Sequence, residues 1–378
     1  MHHNQNNKNN HLITEGRVKL FTGTLFYNPN MRFCRNLFTL ALSSLNENRK
    51  LVLLDGFCSS GIRGFRYLTE TEKVKELHFV DVDSRVKEVI HKNIELNSLQ
   101  NFSINYHQEE FNRFLRIFKK KFDFIEIDPF GSPLAYLESA IHSLNNNGYL
   151  SITATDTQVL CGSNNSACRR YYGSKSLNNF LCHELSLRIL LKVIVQKSSE
   201  QGKGIIPLLS VADRHYVKIL CKLENSSKKA DMSINSLGYI NFCQKCHYFE
   251  IYQLGSSKTC KNCNSNSTIL LGPMWLKNLS SEELLYKMRE KLGSISYLGK
   301  EELKELNKKI EFFINDNKQL LFYDIHKFCS VNKLRLLPTN LIVSRLMNKG
   351  YQVFKTSFSE YGLKGNFSYN DFISVFKD

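Results

Sequence analysis

The segment Phe122–Gly131 brings an acid, a proline, an aromatic residue and a glycine to the end of an apolar run. The run predicts a buried strand of a parallel sheet. The break at Pro129 places Asp128 and Phe130 at the carboxyl end of that strand, where open α/β sheets bind their ligands. A carboxylate, backbone carbonyls and an aromatic ring could there hold the exocyclic amino group of a flat base and stack against it. A strand cap with Phe130 in the core is the alternative, since turn chemistry alone explains Asp-Pro.

A second strand end could cradle a cofactor. The run Asp55–Gly64 joins a strand, a loop of small residues and a helix start, where glycines allow close backbone approach and the helix offers free N–H groups. Its spacing is not the dinucleotide fingerprint. Asp81 ends the next strand and could accept hydrogen bonds from ribose hydroxyls, whereas Asp83 suits the N-cap of the following helix. A nucleoside cofactor without a pyrophosphate fingerprint favours S-adenosylmethionine over NAD, although the loop alone is equally compatible with a tight turn that binds nothing.

Four of the 11 cysteines form two Cys-x-x-Cys knuckles, separated by a hairpin-length stretch. Four thiolates at this spacing close a tetrahedral Zn²⁺ site. A redox pair is the weaker alternative, because the two knuckles occur together outside any βαβ unit. A closed four-cysteine site has no open coordination position, so we expect the zinc to be structural. The predicted ligands are Cys243, Cys246, Cys260 and Cys263.

The charge balance favours a polyanionic partner. Lys and Arg number 51 against 35 Asp and Glu, a net charge of +16, which points to nucleic acid or an anionic membrane, or to a soluble protein that is simply Lys-rich. No stretch is long and apolar enough to span a bilayer, so no membrane partner is expected. A basic, aromatic-interleaved segment, predicted as a loop after the fifth strand, suits an RNA backbone, with a solvated loop as the alternative. Its candidate RNA-binding residues are Arg169, Arg170, Tyr172 and Lys175.

Alternating strands and helices must position these residues. The alternation indicates a doubly wound α/β sheet with helices on both faces. Strands are predicted at Leu51–Asp55, Leu77–Asp81, Phe102–Tyr106, Phe122–Asp128, Tyr149–Ala154 and Ile205–Ser210. Helices are predicted at Ile62–Leu68, Ser84–Leu96, Pro133–Leu144 and Leu181–Gln196.

Composition shifts predict how the chain divides. The Asn/His-rich tip at 1–11 is expected to be disordered, and residues 12–222 are expected to form the catalytic α/β domain. Residues 223–378 would form a smaller α+β RNA-binding domain, with the zinc insert at 238–271 and a winged-helix-like tail. No secretory signal is present, so we expect a cytoplasmic location, or a nuclear one if the source is eukaryotic. The protein is expected to be a monomer.

Further stretches carry a family resemblance over nearly the whole chain. They are Glu15-Gly16, Phe26–Met31, Asp55–Gly64, Asp128–Pro133, Thr155–Gly162, His183-Glu184 with Arg188, Pro207–Ser210, His215-Tyr216, the four-cysteine insert and Gly272–Trp275, with a looser match over Gly350–Phe358. Together they resemble the tRNA (guanine-N2)-dimethyltransferases, which methylate the guanine at position 26. The combination of Asp128–Pro133 with Thr155–Gly162 is specific to that family, whereas the cofactor loop alone would not be.

The resemblance implies a class I (Rossmann-like) S-adenosylmethionine-dependent methyltransferase domain in a compact, archaeal-like chain. Its activity would be the transfer of two methyl groups to the exocyclic N2 of guanine 26. Asp128, Pro129 and Phe130 would be the catalytic residues. Methylation of another RNA, or a non-catalytic zinc-bearing RNA-binding protein, are the alternatives.

The resemblance also implies a cofactor site. Arg35, Arg63 and Asp81 would contact S-adenosylmethionine, beside the cradle that starts at Asp55. Glu110-Phe111 would flank the adenine, where the family usually has Asp-Ala. The family also usually has Asn-Arg-Asp where this chain has Cys-Arg-Asn around Arg35, and Asn-Asp where this chain has Val-Asp at Asp81, but the Arg and the Asp are kept.

Overall fold

The computed structural model describes residues 12–213, 215–255 and 258–377. The expected disordered tip at 1–11 lies outside these described residues. The strands are β1 Leu12–Glu15, β2 Val18–Phe21, β3 Leu51–Gly56, β4 Val74–Asp81, β5 Ser103–Gln108, β6 Phe122–Ile127, β7 Leu144–Ala154, β8 Lys203–Asp213, β9 Tyr216–Asn225, β10 Leu237–Cys243, β11 Phe249–Tyr252, β12 Thr268–Trp275, β13 Tyr323–Asp324, β14 Val353–Lys355 and β15 Gly362–Gly365.

The helices lie between these strands. The α-helices are α1 Arg32–Ser43, α2 Ile62–Thr71, α3 Val86–Leu96, α4 Phe111–Ile117, α5 Leu137–Ser143, α6 Thr157–Leu160, α7 Asn165–Tyr172, α8 Cys182–Ser199, α9 Ser227–Ile234, α10 Glu282–Lys291, α11 Lys300–Asp316, α12 Ile325–Asn332, α13 Thr339–Asn348 and α14 Tyr369–Ser374. Short 3₁₀ turns occupy Pro29–Met31, Leu134–Tyr136 and Leu292–Ser294. Of the helices in the described part of the chain, none has both the length and the apolar character that crossing a bilayer requires.

Seven strands form the central sheet, in the order β5-β4-β3-β6-β7-β9-β8. The first five are parallel, whereas β9 pairs antiparallel with both β7 and β8. The predicted doubly wound sheet is confirmed, and β9 is a strand that the sequence analysis did not predict. Gly56 of β3 lies opposite both Val80 of β4 and Ile127 of β6. The residues that follow these three strands therefore emerge together at one edge of the sheet.

Helices cover both faces of this sheet, as the continuous apolar runs of β3 and β6 require. One buried cluster joins the sheet to α1, α2 and α3 and also takes in α10 and α11 from the C-terminal part of the chain. The opposite cluster contains α4, α5 and α8. The predicted helix at 133–144 begins with a 3₁₀ turn, and α5 ends before β7 starts at Leu144.

The C-terminal part contains two small sheets. β10, β11 and β12 form the zinc sheet, a three-stranded antiparallel sheet at whose end the cysteine knuckles lie. The tail pairs β15 with both β13 and β14, after helices α12 and α13, so the predicted helices and strand pair are present. One apolar cluster joins Cys243 and Cys246 to Phe328 and Phe372 of the tail. The tail therefore packs directly on the cysteine knuckles, whereas the domain division and the winged-helix likeness stay predictions.

Candidate active site

Asp128 lies at the carboxyl end of β6 and is held by a buried arginine. Arg63 Nη2 of α2 lies 2.5 Å from Asp128 Oδ2, and Arg63 Nε lies 3.6 Å from Glu126 Oε1. Burial would raise the pKa of Asp128, but the charges of Arg63 and Lys218 outweigh it and lower that pKa. Asp128 is therefore a fixed anion and a strong hydrogen-bond acceptor at the edge of the sheet.

A second buried carboxylate, Glu126, supports this pair from inside the sheet. Lys218 of β9 forms an ion pair with Glu126, donates to Thr153 Oγ1 at 2.9 Å, and has no exposed side-chain surface. Tyr67 OH donates to Glu126 Oε2 at 3.0 Å. The charges thus compensate one another, since a buried carboxylate without partners would destabilise the fold. Sequence reasoning missed Glu126 and Lys218, because both lie within otherwise apolar strand runs.

The cofactor loop after β3 is fixed by two aspartates. Asp55 Oδ2 accepts a hydrogen bond from the Gly64 backbone N–H at 2.8 Å, and Asp81 Oδ2 accepts one from the Ser59 N–H at 2.9 Å. Asp55 is only 2% exposed, so it supports the loop from the buried side. Gly61 has a φ of 76°, a left-handed conformation that favours glycine. Asp83 accepts from the Arg85 N–H, and Arg85 itself occupies the N-cap of α3, so the predicted N-cap role of Asp83 is wrong.

The remaining predicted cofactor residues surround this cradle in different ways. Arg35 is buried and makes a two-pronged ion pair with the fully buried Glu15, at 2.6 and 2.5 Å. Glu110 caps α4 by accepting from the Asn112 and Arg113 N–H groups, and its own surface is exposed. Phe111 is buried beside the loop, with its ring stacked on that of Phe57 at a centroid distance of 5.1 Å.

The structure offers one clear test of whether S-adenosylmethionine fits this cradle. The Nη1 atom of Arg63 is buried and has no hydrogen-bond partner among the described residues. A buried guanidinium donor without a partner is costly, and the carboxylate of a bound cofactor would supply an acceptor of the matching charge. The backbone groups of the glycine turn and the carboxylate of Asp81 could bind a nucleoside. The residues present therefore fit the cofactor.

Two exposed aromatic rings meet where the chain leaves β6 beyond Asp128. Phe130 is 83% exposed, and Phe26 is 60% exposed. Their ring centroids lie 5.4 Å apart, edge to face. The alternative that placed Phe130 in the core is therefore wrong. Phe26 was missed as a site residue, because it lies in the N-terminal segment and only its place in the resembling stretch Phe26–Met31 marked it.

Backbone contacts hold the loop that presents Phe130. Gly131 has a φ of 82°, its N–H donates to Thr155 Oγ1 at 2.7 Å, and its carbonyl accepts from the Thr155 N–H at 2.9 Å. Ser132 lies next in this loop, with its Oγ 3.1 Å from Tyr172 OH. Tyr172 OH also contacts both carboxylate oxygens of Asp156 at 2.8 Å. The ends of β6 and β7 are thereby joined to each other and to α7.

The basic segment is a helix and not the predicted loop. Asn164 accepts from the Ala167 N–H to cap α7, and Gly173 ends it in a left-handed conformation. Arg169 and Arg170 are exposed, and Lys175 is half-buried just beyond the helix. Tyr172 is buried at 1% exposure, so an RNA-facing position for it is wrong. Only the three cations stay candidates for RNA contact.

The four predicted zinc ligands converge. Their sulfur atoms all lie within 4.8 Å of one another. The pairs Cys243–Cys263 and Cys246–Cys260 each have a sulfur–sulfur distance of 3.7 Å. Thiolates on one tetrahedral zinc, with Zn–S bonds of about 2.3 Å, lie about 3.8 Å apart. The cluster therefore could hold zinc without moving its ligands far.

The glycine-containing loop after β3 suits a nucleoside cofactor. The edge after the neighbouring β6, with its anionic Asp128 and exposed aromatic rings, suits an amino group. Together they define a Rossmann-like methyltransferase that acts on an amino group. The family model "N2,N2-dimethylguanosine tRNA methyltransferase" matches residues 7–377. The chain belongs to this family. The predicted S-adenosylmethionine-dependent tRNA methyltransferase, and the resemblance on which that prediction rested, are confirmed.

Individual relatives agree with the family assignment. The tRNA (guanine(26)-N(2))-dimethyltransferase of Methanobrevibacter smithii is 33% identical over 90% of this chain and 88% of its own length. The tRNA (guanine(26)-N(2)/guanine(27)-N(2))-dimethyltransferase of Aquifex aeolicus is 32% identical over 92% of this chain and 88% of its own length. The structure of Trm1 from Pyrococcus horikoshii with S-adenosyl-L-methionine is 30% identical and covers 96% of this chain and 99% of its own, with a TM-score of 0.86.

Proposed function

We propose that this protein transfers two methyl groups from S-adenosylmethionine to the exocyclic N2 of guanine 26 in tRNA. The observation that carries the proposal is the edge at β6, where the anionic Asp128 is followed by the exposed Phe130, whose ring contacts that of Phe26. This edge offers hydrogen-bond acceptors to an amino group and aromatic surface to a flat base. The edge would suit a base amine in another RNA as well, and it is the family model for tRNA methyltransferases that favours tRNA. A non-catalytic RNA-binding protein would not need this edge.

Asp128 and Pro129 would orient the amine. The N2 lone pair of guanine is conjugated with the ring, so the amine is a poor nucleophile until its two N–H groups are held. The Asp128 carboxylate has about four acceptor sites, and its contacts with Arg63 and Thr153 leave room for one amine hydrogen. The Pro129 carbonyl would accept the second hydrogen. The lone pair would then face the cofactor.

S-adenosylmethionine would supply the activated methyl group from its sulfonium centre. Arg63, through its unpartnered Nη1, and Asp81 at the ribose would hold the cofactor, with Asp55 fixing the turn. Arg35, Glu110 and Phe111 would complete the site. Holding both reactants in one geometry supplies much of the rate enhancement, since proximity alone can remove about 7–11 kcal/mol of a barrier.

The target base would enter between the two phenylalanines. A guanine inside folded tRNA is stacked, so it must be flipped out before its amine reaches Asp128. Stacking on an aromatic side chain contributes about 1–3 kcal/mol per base, which offsets part of that cost. The rings of Phe26 and Phe130 already touch at 5.4 Å and would part to admit the base. Two methyl transfers to one nitrogen require exchange of the cofactor between them.

Two further assignments belong to this proposal. Arg169, Arg170 and Lys175 would contact the tRNA backbone, because they lie on, or just beyond, the helix joined to the Phe130 loop through Tyr172. The cysteine cluster would bind structural zinc and hold the tail, which packs on it. The monomeric state and the cellular location stay predictions.

Unmodified tRNA transcripts test the proposal directly. Purified protein, labelled S-adenosylmethionine and transcripts with guanine or adenine at position 26 are incubated, and the nucleosides are analysed. We expect dimethylguanosine that disappears when position 26 is adenine. Product that persists would place the target elsewhere, for example at guanine 27, which the name of the Aquifex relative includes.

A variant isolates the role of Asp128 in the same assay. Asp128→Ala should abolish transfer while S-adenosylmethionine still binds. The control is Glu138→Ala, an exposed acid on α5, which should keep wild-type turnover. Near-normal turnover by Asp128→Ala would overturn the assignment of Asp128 at the target amine.

A further inference from the structure

A pocket lies where the end of α7 meets the zinc sheet. Its volume is about 300 Å³, and it is lined by Arg169 and Lys175 on one side and by Tyr239 and Thr268 on the other. Lys175 and Gly272 exchange two backbone hydrogen bonds, of 2.9 and 2.8 Å, along one wall. The catalytic part and the zinc sheet thus share a hydrogen-bonded seam, and the pocket opens beside it.

The chemistry of this pocket suits an anion. Two cations line it, and none of the described residues around it is acidic. Arg169 is exposed, while Lys175 is half-buried. Guanidinium groups match phosphate oxygens in a forked geometry, and an ammonium adds a point charge. The size is at the lower end of the range for small-ligand sites, enough for a phosphate with part of its sugar.

The helix that carries Arg169 also carries Tyr172, one turn further along. Tyr172 is buried and bonds Asp156 at 2.8 Å and Ser132 at 3.1 Å. Ser132 lies two residues beyond Phe130 in the loop at the β6 edge. One short helix therefore joins the pocket to the loop that would receive the target base.

We propose that this pocket binds a backbone phosphate of the tRNA near the target nucleotide. We also propose that the bound phosphate, acting through α7, positions the loop that contains Phe130 and Ser132. The inference rests on the proposed function, since it takes tRNA as the substrate. A polyanion is favoured over a free small anion, because Arg170 and Tyr171, which follow Arg169 directly in α7, are also exposed.

Salt-dependent binding tests the pocket. Affinity for unmodified tRNA is measured between 0.05 and 0.3 M salt for the wild type and for Arg169→Gln/Lys175→Gln. Each phosphate contact contributes a slope of about 0.7–0.9 to the fall of log K with log salt. We expect the double variant to lose about that slope and to bind tRNA about four- to six-fold more weakly at 0.15 M salt.

Lys197→Gln provides the matched control. Lys197 is a half-buried cation on α8 that pairs with Glu200 at 2.9 Å and lies outside the pocket. It should keep the wild-type slope. If Lys197→Gln lowers the slope as much as the double variant does, only the general positive field acts, and the proposal is overturned.

Two further readouts separate the possible failures. Cofactor affinity and melting temperature of the double variant should match the wild type. If they do not, the single variant Arg169→Gln, at an exposed position, repeats the test. Wild-type protein that neither binds nor methylates tRNA would refute the proposed function itself. Wild-type protein that methylates tRNA, with variants of unchanged slope and KM, would refute the pocket alone.

Discussion

Replacing Arg63 by Met would leave Asp128 without its main partner. The Arg63 side chain is 7% exposed, and its Nη2 lies 2.5 Å from Asp128 Oδ2. Breaking a buried ion pair costs about 3–5 kcal/mol, because the remaining charge is left uncompensated. The Asp128 side chain is 26% exposed, so water would solvate part of its charge. We therefore expect Arg63→Met to lower the free energy of unfolding by about 3 kcal/mol, at the lower end of that range.

A double-mutant cycle measures the coupling between the two side chains. Arg63→Met, Asp128→Asn and the double variant are unfolded with urea, without S-adenosylmethionine, so that ligand binding does not add stability. Because the double variant leaves neither charge alone, it should be more stable than the sum of the single losses predicts, by about 2–3 kcal/mol. The surface pair Arg113–Glu109, at 3.5 Å with Arg113 69% exposed, provides the control. Arg113→Met should cost less than about 1 kcal/mol.

Two outcomes would refute this reasoning. A coupling energy below about 0.5 kcal/mol would mean that Arg63 and Asp128 contribute independently. A loss for Arg63→Met no larger than that for Arg113→Met would mean that the buried pair behaves like a surface pair. Either result would also remove the reason for calling Asp128 a fixed anion.

Two other predictions concern the metal cluster and the pH dependence of stability. Cys243→Ser and Cys260→Ser should each lose zinc and lower the melting temperature. Metal analysis that finds stoichiometric zinc in both variants would contradict the ligand set. Burial, and to a smaller extent the charge of the nearby Glu126, raises the pKa of Asp55 to about 8. The protonated form of Asp55 therefore stabilises the fold fully below about pH 4, and this contribution is lost as the pH rises towards 8. Asp55→Asn should therefore flatten the fall in unfolding free energy between pH 5 and 8, by up to about 1.4 kcal/mol per pH unit, and urea titrations that show an unchanged slope would count against it.

Local patterns were enough to predict most of the sheet. The apolar runs of β3 and β6 are buried along their whole length, so their residue types alone identified them. β9 was missed because its antiparallel pairing between β7 and β8 depends on which strands lie beside it, and a single run does not carry that information. The basic segment of α7 was predicted as a loop, although Asn164 and Gly173 are the residue types that begin and end a short helix there.

The sequence by itself determined the family, the Asp128–Gly131 edge and the four cysteines, because each depends on residue types at short, fixed spacing. Only the tertiary structure decided the partners across the sheet. The contacts of Arg63 with Asp128 and of Phe26 with Phe130 join residues far apart in the chain, so no local period or motif encodes them. The pocket beside Arg169 likewise exists only because the folded chain brings Gly272 against Lys175. Burial and charge compensation act on neighbours in space, and the fold alone sets which residues those are.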